Sequence, residues 1–229
     1  MSKTLAIALV VVLGACDDTT PAWQLEHDRI IAVRATPPTV APRGRVDLDV
    51  LVTAVGEGPS VVQPMQVALA PNGPPGFEES VIHDDRGWAV IAPDADTVAA
   101  SRVALGLDGS APVPLTVGLL VRAGQTDLAA VKTVYLGAER ANPELGDVTV
   151  DGEPAADGMT VPVGEEVELT IDATDDDKID WLSSVGDLGD VDDLVGHLEA
   201  TAPAEGFLAV VRRDPFGGVA WGFWTLAAR

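Results

Sequence analysis

One cysteine, three lysines, three histidines and one tyrosine stand among 229 residues, so several kinds of chemistry have few residues to use. A lone Cys16 excludes a disulfide framework. His27, His83 and His197 are far apart and form no H-E-x-x-H pattern, so a zinc site would need them to converge through folding. No G-x-S-x-G, phosphate-binding loop or Gly-rich dinucleotide fingerprint occurs. Basic side chains number 14 against 36 acidic ones, a formal net charge of −22. Such a field repels nucleic acid and anionic lipid headgroups. Beyond the first 13 residues no apolar run approaches the roughly 20 needed for a membrane-spanning helix.

The amino terminus does carry a pattern. Met1-Ser2-Lys3 is a minimal positive region, and Leu5–Leu13 is an unbroken apolar run too short to cross a bilayer as a helix. Leu13-Gly14-Ala15-Cys16 follows. This tetrad resembles the lipobox of bacterial lipoproteins. The resemblance implies a signal peptide over 1–15, cleavage before Cys16, and acylation of Cys16 by palmitate-type chains. Residues 16–27 then read as a lipidated cysteine and a short polar tether, with Asp17, Asp18 and Pro21 and no periodicity. The expected location is the cell envelope, with the protein bound to a membrane through its lipid.

The body is rich in turn formers, with 17 Pro and 23 Gly, and 47% of the chain is hydrophobic, enough for real cores. Its apolar runs are short, β-branched and bounded by Gly, Pro or Asp, the pattern of strands. Arg29–Arg34 is one, stopped by Pro37-Pro38; Val46–Val52 alternates apolar residues with Asp47 and Asp49. Further strands are expected at Val61–Leu69 (with Pro64 an edge or bulge), Gly87–Ile91, Leu115–Val121 and Leu128–Leu136. Asp94–Leu107 fits either a short helix or a strand. Past Asn142-Pro143 the pattern restarts. Val161-Pro-Val-Gly164-Glu-Glu-Val-Glu-Leu-Thr-Ile171 echoes Val40-Ala-Pro-Arg-Gly44-Arg-Val-Asp-Leu-Asp-Val50 one residue out of step, as an internal repeat would, with each Gly turning the chain into the next strand. Ile179–Leu182 holds a Trp where sandwiches bury one, and Gly206–Arg212 with Val219–Leu226 forms a hairpin across Asp214-Pro-Phe-Gly-Gly218. The expected fold is all-β: two tandem β-sandwiches over 28–138 and 143–229.

The segments RIIAVRATPPTVAPRGRVDLDVLV, NPELGDVTVDG, IDWLSSVG and AVVRRDPFGGVAWGFWTL resemble bacterial lipoproteins with tandem immunoglobulin-like or PKD-like domains. That resemblance implies immunoglobulin-like sandwiches and a non-enzymatic binding or structural role. It carries no catalytic residues. The partner it suggests is another envelope or surface protein, or a glycan.

Two constellations are candidates for more. Asp172, Asp175, Asp176, Asp177 and Asp180 cluster before and on the Trp181 strand, and Asp187, Asp190, Asp192 and Asp193 follow it. Converging loops of this kind could ligate Ca²⁺, although no EF-hand register is present. This would make the chain a calcium-stiffened surface adhesion module; otherwise the acids are a solvated face and no cofactor is needed. Trp221, Phe223 and Trp224 lie on one strand, with Trp224 opposite the other two in period two. They form either a binding platform or a core face backed by a domain interface. A carboxylate-based hydrolase is the remaining alternative, since 36 acids offer many pairs and none that the sequence singles out.

Overall fold

A computed structural model describes residues 21–71, 73 and 76–229, so Cys16 and the signal region lie outside the described residues. Within the described residues the chain builds two β-sandwiches in tandem, each of two sheets.

The first uses β1 (Arg29–Thr36), β2 (Thr39–Val40), β3 (Arg45–Thr53), β4 (Ser60–Val62), β5 (Gln66–Leu69), β6 (Val81–Asp84), β7 (Gly87–Ile91), the helix α1 (Ala95–Ala104), β8 (Val113–Ala123) and β9 (Thr126–Leu136). One sheet runs β1-β3-β7-β6, with β4 also on β3, and the other runs β2-β9-β8-β5. The break between β4 and β5 falls at Gln63-Pro64, where the chain leaves one sheet for the other. Proline has no amide hydrogen to give a ladder, so the crossing falls there naturally.

The second sandwich uses β10 (Val148–Val150), β11 (Glu153–Pro154), β12 (Met159–Val161), β13 (Glu166–Ile171), β14 (Lys178–Ser183), β15 (Asp187–Gly189), β16 (Val195–Glu199), β17 (Ala204–Arg213) and β18 (Val219–Ala228). Its sheets run β11-β10-β13-β16-β15 and β12-β18-β17-β14. Setting aside the short accessory strands β2, β4, β11 and β12, both domains place their first, second, fifth and fourth strands on one sheet and their third, sixth and seventh on the other. That is the strand order of the immunoglobulin-like sandwich, so the all-β, two-domain expectation holds.

The internal repeat has a structural meaning. Val40 in β2 lies parallel to the last strand of its domain, opposite Leu136, and Val161 in β12 lies parallel to its own last strand, opposite Ala228. The two segments are in step after all. The left-handed backbone falls on Arg43 (φ 63°) in one domain and Gly164 (φ 80°) in the other. Gly44 serves a different need, because a Cβ there would come within 2.3 Å of the Val40 side chain. Arg43 tolerates its unfavourable conformation because its amide donates to the carbonyls of both Ala92 and Pro93.

Asp94–Leu107 resolves as the helix α1. Asp94 caps it by accepting from the Thr97 amide at 2.9 Å, and Leu105 and Gly106 (φ 65°) end it. Only Val98 and Ser101 of the helix are buried, so it has no apolar stripe for a reader of the sequence to find. Strands that the sequence did not single out include β6, β15 and β16. The last two sit in the acidic stretch, held by Leu188 and Leu198 facing the core.

Trp181 is 1% exposed at the centre of the second core and donates its indole N–H to the Asp193 carbonyl at 3.0 Å. Gly196 on β16 lies beneath its ring, where a Cβ would come within 2.9 Å of the indole. Gly196→Ala should therefore cost about 1–3 kcal/mol by overpacking. Urea unfolding followed by Trp fluorescence measures this, and an unchanged midpoint would contradict the close seat of the ring.

Candidate functional site: the seam between the sandwiches

The apolar runs that do not alternate mark the site. In β17, Leu208, Ala209, Val210 and Val211 are all buried. Leu208 and Val210 enter the core of the second sandwich, while Ala209 and Val211 face outward. In β3, Val46, Leu48, Val50 and Val52 enter the first core and Leu51 faces outward. The outward residues meet. Ile31, Ala32 and Leu51 of the first domain pack with Leu182, Ala209, Val211 and Val219 of the second, flanked by Phe207 and Trp221. This third apolar cluster joins the two domains.

Polar groups ring it. Arg34 grips Asp49 with two hydrogen bonds, 3.1 and 2.7 Å, and its guanidinium lies 4.0 Å from the centre of the Trp221 ring across the seam. Asn142, in the linker, donates to the Ala35 carbonyl at 2.9 Å and accepts the Val219 amide at 2.9 Å, clasping one domain to the other. Arg213 donates to the Ile31 carbonyl at 3.1 Å, and Lys132 donates to the Gly217 carbonyl at 2.7 Å.

The segment before β1 differs from a free tether. Leu25 is 2% exposed and belongs to the seam cluster, and Trp23 packs against the second core. The Leu25 amide donates to the Ser183 carbonyl and the Ser183 amide donates to the Trp23 carbonyl, each at 3.0 Å. The segment thus lies beside β14 of the second domain before it enters β1 of the first. Arg29 fixes the bend by donating to the carbonyls of Ala22 and Gln24.

The candidate residues distribute as follows. Trp221 packs at the seam beneath Arg34, Trp224 packs against the second core, and Phe223 is 37% exposed. The three do not form one platform. Asp177 is consumed by an ion pair with Arg212, whose Nη2 approaches to 2.7 Å; the two side chains are 4% and 13% exposed. The same guanidinium donates to the carbonyls of Glu144 and Asp172, sewing the interdomain linker to the second sandwich. Asp180 pairs with Arg213. The Asp172 amide donates to Asp147, and Asp175 and Asp176 are exposed in a turn. Among the described residues no group of three or more His, Cys, Asp or Glu side chains is placed to hold a metal ion. The histidines are scattered: His83 lies against Trp88 with the rings tilted by 56° and their centres 4.8 Å apart, and His197 lies between Glu166 and Asp190.

Among the described residues four carboxylates have displaced pKa values, and all four are displaced downward. Asp28 is lowered by the Thr126 hydroxyl and the Val55 amide, Asp84 by Arg45, and Asp94 by the Thr97 amide and hydroxyl. Burial of Asp177 pushes upward, but the Thr174 hydroxyl and amide together with Arg212 outweigh it. A general-acid carboxylate needs the opposite displacement. Lys132 is the group moved furthest into the neutral range. Burial, aided by repulsion from Arg213 and opposed by Asp214, lowers it to about 8.

No protein-family model matches the chain, and no curated protein matches its sequence. Among solved structures it is similar to the N-terminal Ig1-2 module of the Drosophila receptor protein tyrosine phosphatase DLAR, at 14% identity and a TM-score of 0.33, covering 89% of this chain and 99% of that one. Murine CEACAM1b matches at 12% identity and a TM-score of 0.30 over 88% of this chain and 100% of that one. A chimeric titin Z1Z2-Z1Z2 tandem matches at 14% identity and a TM-score of 0.31 over 88% and 99%. At these scores the fold rests on the strand order itself. The chain is built of two tandem immunoglobulin-like sandwiches.

Two outcomes follow for the seam. Leu25→Ala should cost about 2–5 kcal/mol, as for other fully buried leucines; a melting temperature within error of the parent would place residues 21–27 outside the folded body. A lysine whose pKa falls on folding binds fewer protons folded than unfolded between pH 8 and its ordinary 10.5, so stability rises with pH across that window. Denaturant midpoints measured from pH 7 to 10.5 should rise more for the parent than for Lys132→Met.

Proposed function

We propose that the chain is a lipid-anchored envelope protein, a binding or structural module that acyl groups on Cys16 hold at a membrane. The observation that carries this reading is Leu13-Gly14-Ala15-Cys16 directly after a short apolar run, with no other cysteine in the chain. Each acyl CH₂ buried in the bilayer contributes about 0.8 kcal/mol, so two or three chains anchor a protein where one holds only marginally. The tandem immunoglobulin-like body supports the non-enzymatic part of the reading. Its joined domains favour a role in which fixed geometry matters, presenting a surface to another envelope protein or a glycan. The negative charge keeps the body from lying on anionic headgroups.

Metabolic labelling with palmitate and fractionation of membranes test the proposal. The parent should carry label and sediment with membranes. Cys16→Ala should lose the label and retain its signal peptide uncut. Label and normal processing in the Cys16→Ala protein would overturn the reading.

A further inference from the structure

An open cleft of about 630 Å³ lies beside the seam. Its walls are apolar, from Ile30 and Val33 of β1 and from Ala130 and Val131 of β9, and Val131 is 73% exposed. Three cations also line it: Lys132, Lys178 and Arg213. Lys132 and Lys178 are the only lysines beyond Lys3, and both face this one cleft.

Their pairing sets them apart. Acids outnumber bases heavily, and most arginines of the body lie within 4.0 Å of a carboxylate, Arg34, Arg45, Arg86 and Arg212 among them. Arg213 itself is taken up by Asp180. Among the described residues neither Lys132 nor Lys178 has a carboxylate within that distance. Among the described residues the Lys132 ammonium donates only to the Gly217 carbonyl, at 2.7 Å, although an ammonium has three hydrogens to give. Two acids also line the cleft. Asp214 is committed to the amides of Phe216 and Gly218, at 2.8 and 2.7 Å, and its side chain is 8% exposed. Asp176 stands exposed at the mouth.

We propose that this cleft binds an oxyanion, a carboxylate or a phosphate group, carried by a ligand whose apolar segment lies along Ile30, Val33 and Val131. The anion sits between Lys132 and Lys178, and Asp176 at the mouth opposes it. Charge complementarity is the argument. The cleft gathers unpaired cations in a protein whose field repels anions elsewhere, so binding is confined to this place. Burial and Arg213 together depress the Lys132 pKa more than Asp214 restores it, and a bound anion would move it back toward the ordinary lysine range. The inference is independent of acylation at Cys16 and stands whether or not that reading holds.

The scarcity of lysine makes the test direct. The detergent-solubilised full chain, labelled with ¹³C at the lysine ε-carbons, is titrated with hexanoate, butyl phosphate and inorganic phosphate, with sodium chloride as the ionic-strength control. The expected result is a saturable shift of the Lys132 and Lys178 signals, with the better tailed probe binding at least about tenfold tighter than inorganic phosphate. Hexanoate alone would identify a carboxylate ligand, butyl phosphate alone a phosphate one. Lys132→Met should abolish the Lys178 shift, Lys178→Met at its exposed position should weaken binding several-fold without changing the melting temperature, and Asp176→Asn should strengthen it. Shifts that chloride reproduces, inorganic phosphate binding as tightly as both tailed probes, or unchanged affinity in Lys178→Met would each overturn the proposal.

Discussion

Water would not tolerate the outward faces of β1, β3, β14, β17 and β18 as they stand. Ile31, Leu51, Leu182, Ala209 and Val211 would form one contiguous apolar patch on each domain, of the kind monomeric proteins rarely leave exposed. Closing these faces on each other removes both patches at once, and the remaining interdomain features follow from that closure. The Arg34 guanidinium can lie on Trp221, and Asn142 can reach both Ala35 and Val219, only because the apolar faces hold the two sheets at contact distance. Arg212, buried beside Asp177, then pins the linker to the second domain. Interfaces between domains of one chain ordinarily permit relative motion; this one is apolar at its centre, rimmed by hydrogen bonds and spanned by the amino-terminal segment.

The fold was legible in the sequence where one face of a strand is wet. Asp47 and Asp49 between Val46, Leu48 and Val50 revealed the half-buried β3, and Asp214-Pro-Phe-Gly-Gly218 revealed the β17–β18 hairpin, because both rest on local chemistry. The helix α1 was ambiguous because only two of its residues are buried. The strands β15 and β16 stayed hidden because they are only three and five residues long and hold one or two apolar side chains each.

The seam was written in the sequence as well, in a form that one-domain patterns do not reveal. Runs such as Ile30–Val33 and Leu208–Val211 are apolar without alternation, which in a two-layer sandwich means that the second face is covered too. That signal says a face is covered and leaves open what covers it. The acidic candidates show the converse. Asp177 and Asp180 share a loop-and-strand segment with Asp172, Asp175 and Asp176, but the partners that claim them, Arg212 and Arg213, come from β17, far along the chain. Sequence proximity grouped these acids, and the folded chain separated them by giving Asp177 and Asp180 a cation each while Asp175 and Asp176 stay exposed.

The place of residues 23–25 beside β14 bears on how the molecule assembles during synthesis. The first sandwich contains all its own strands and can close once Leu136 has emerged. Its outer face, with Leu25, Ile31 and Leu51, must then wait uncovered until β14, β17 and β18 of the second domain have formed. In that interval a nascent chain presents an unpaired edge and an apolar surface, the combination that invites association with other chains. Residues 23–25 thus wait for β14 of the second domain before they find their backbone partners, and a chain cut short before Val219 would leave part of the seam's apolar face uncovered.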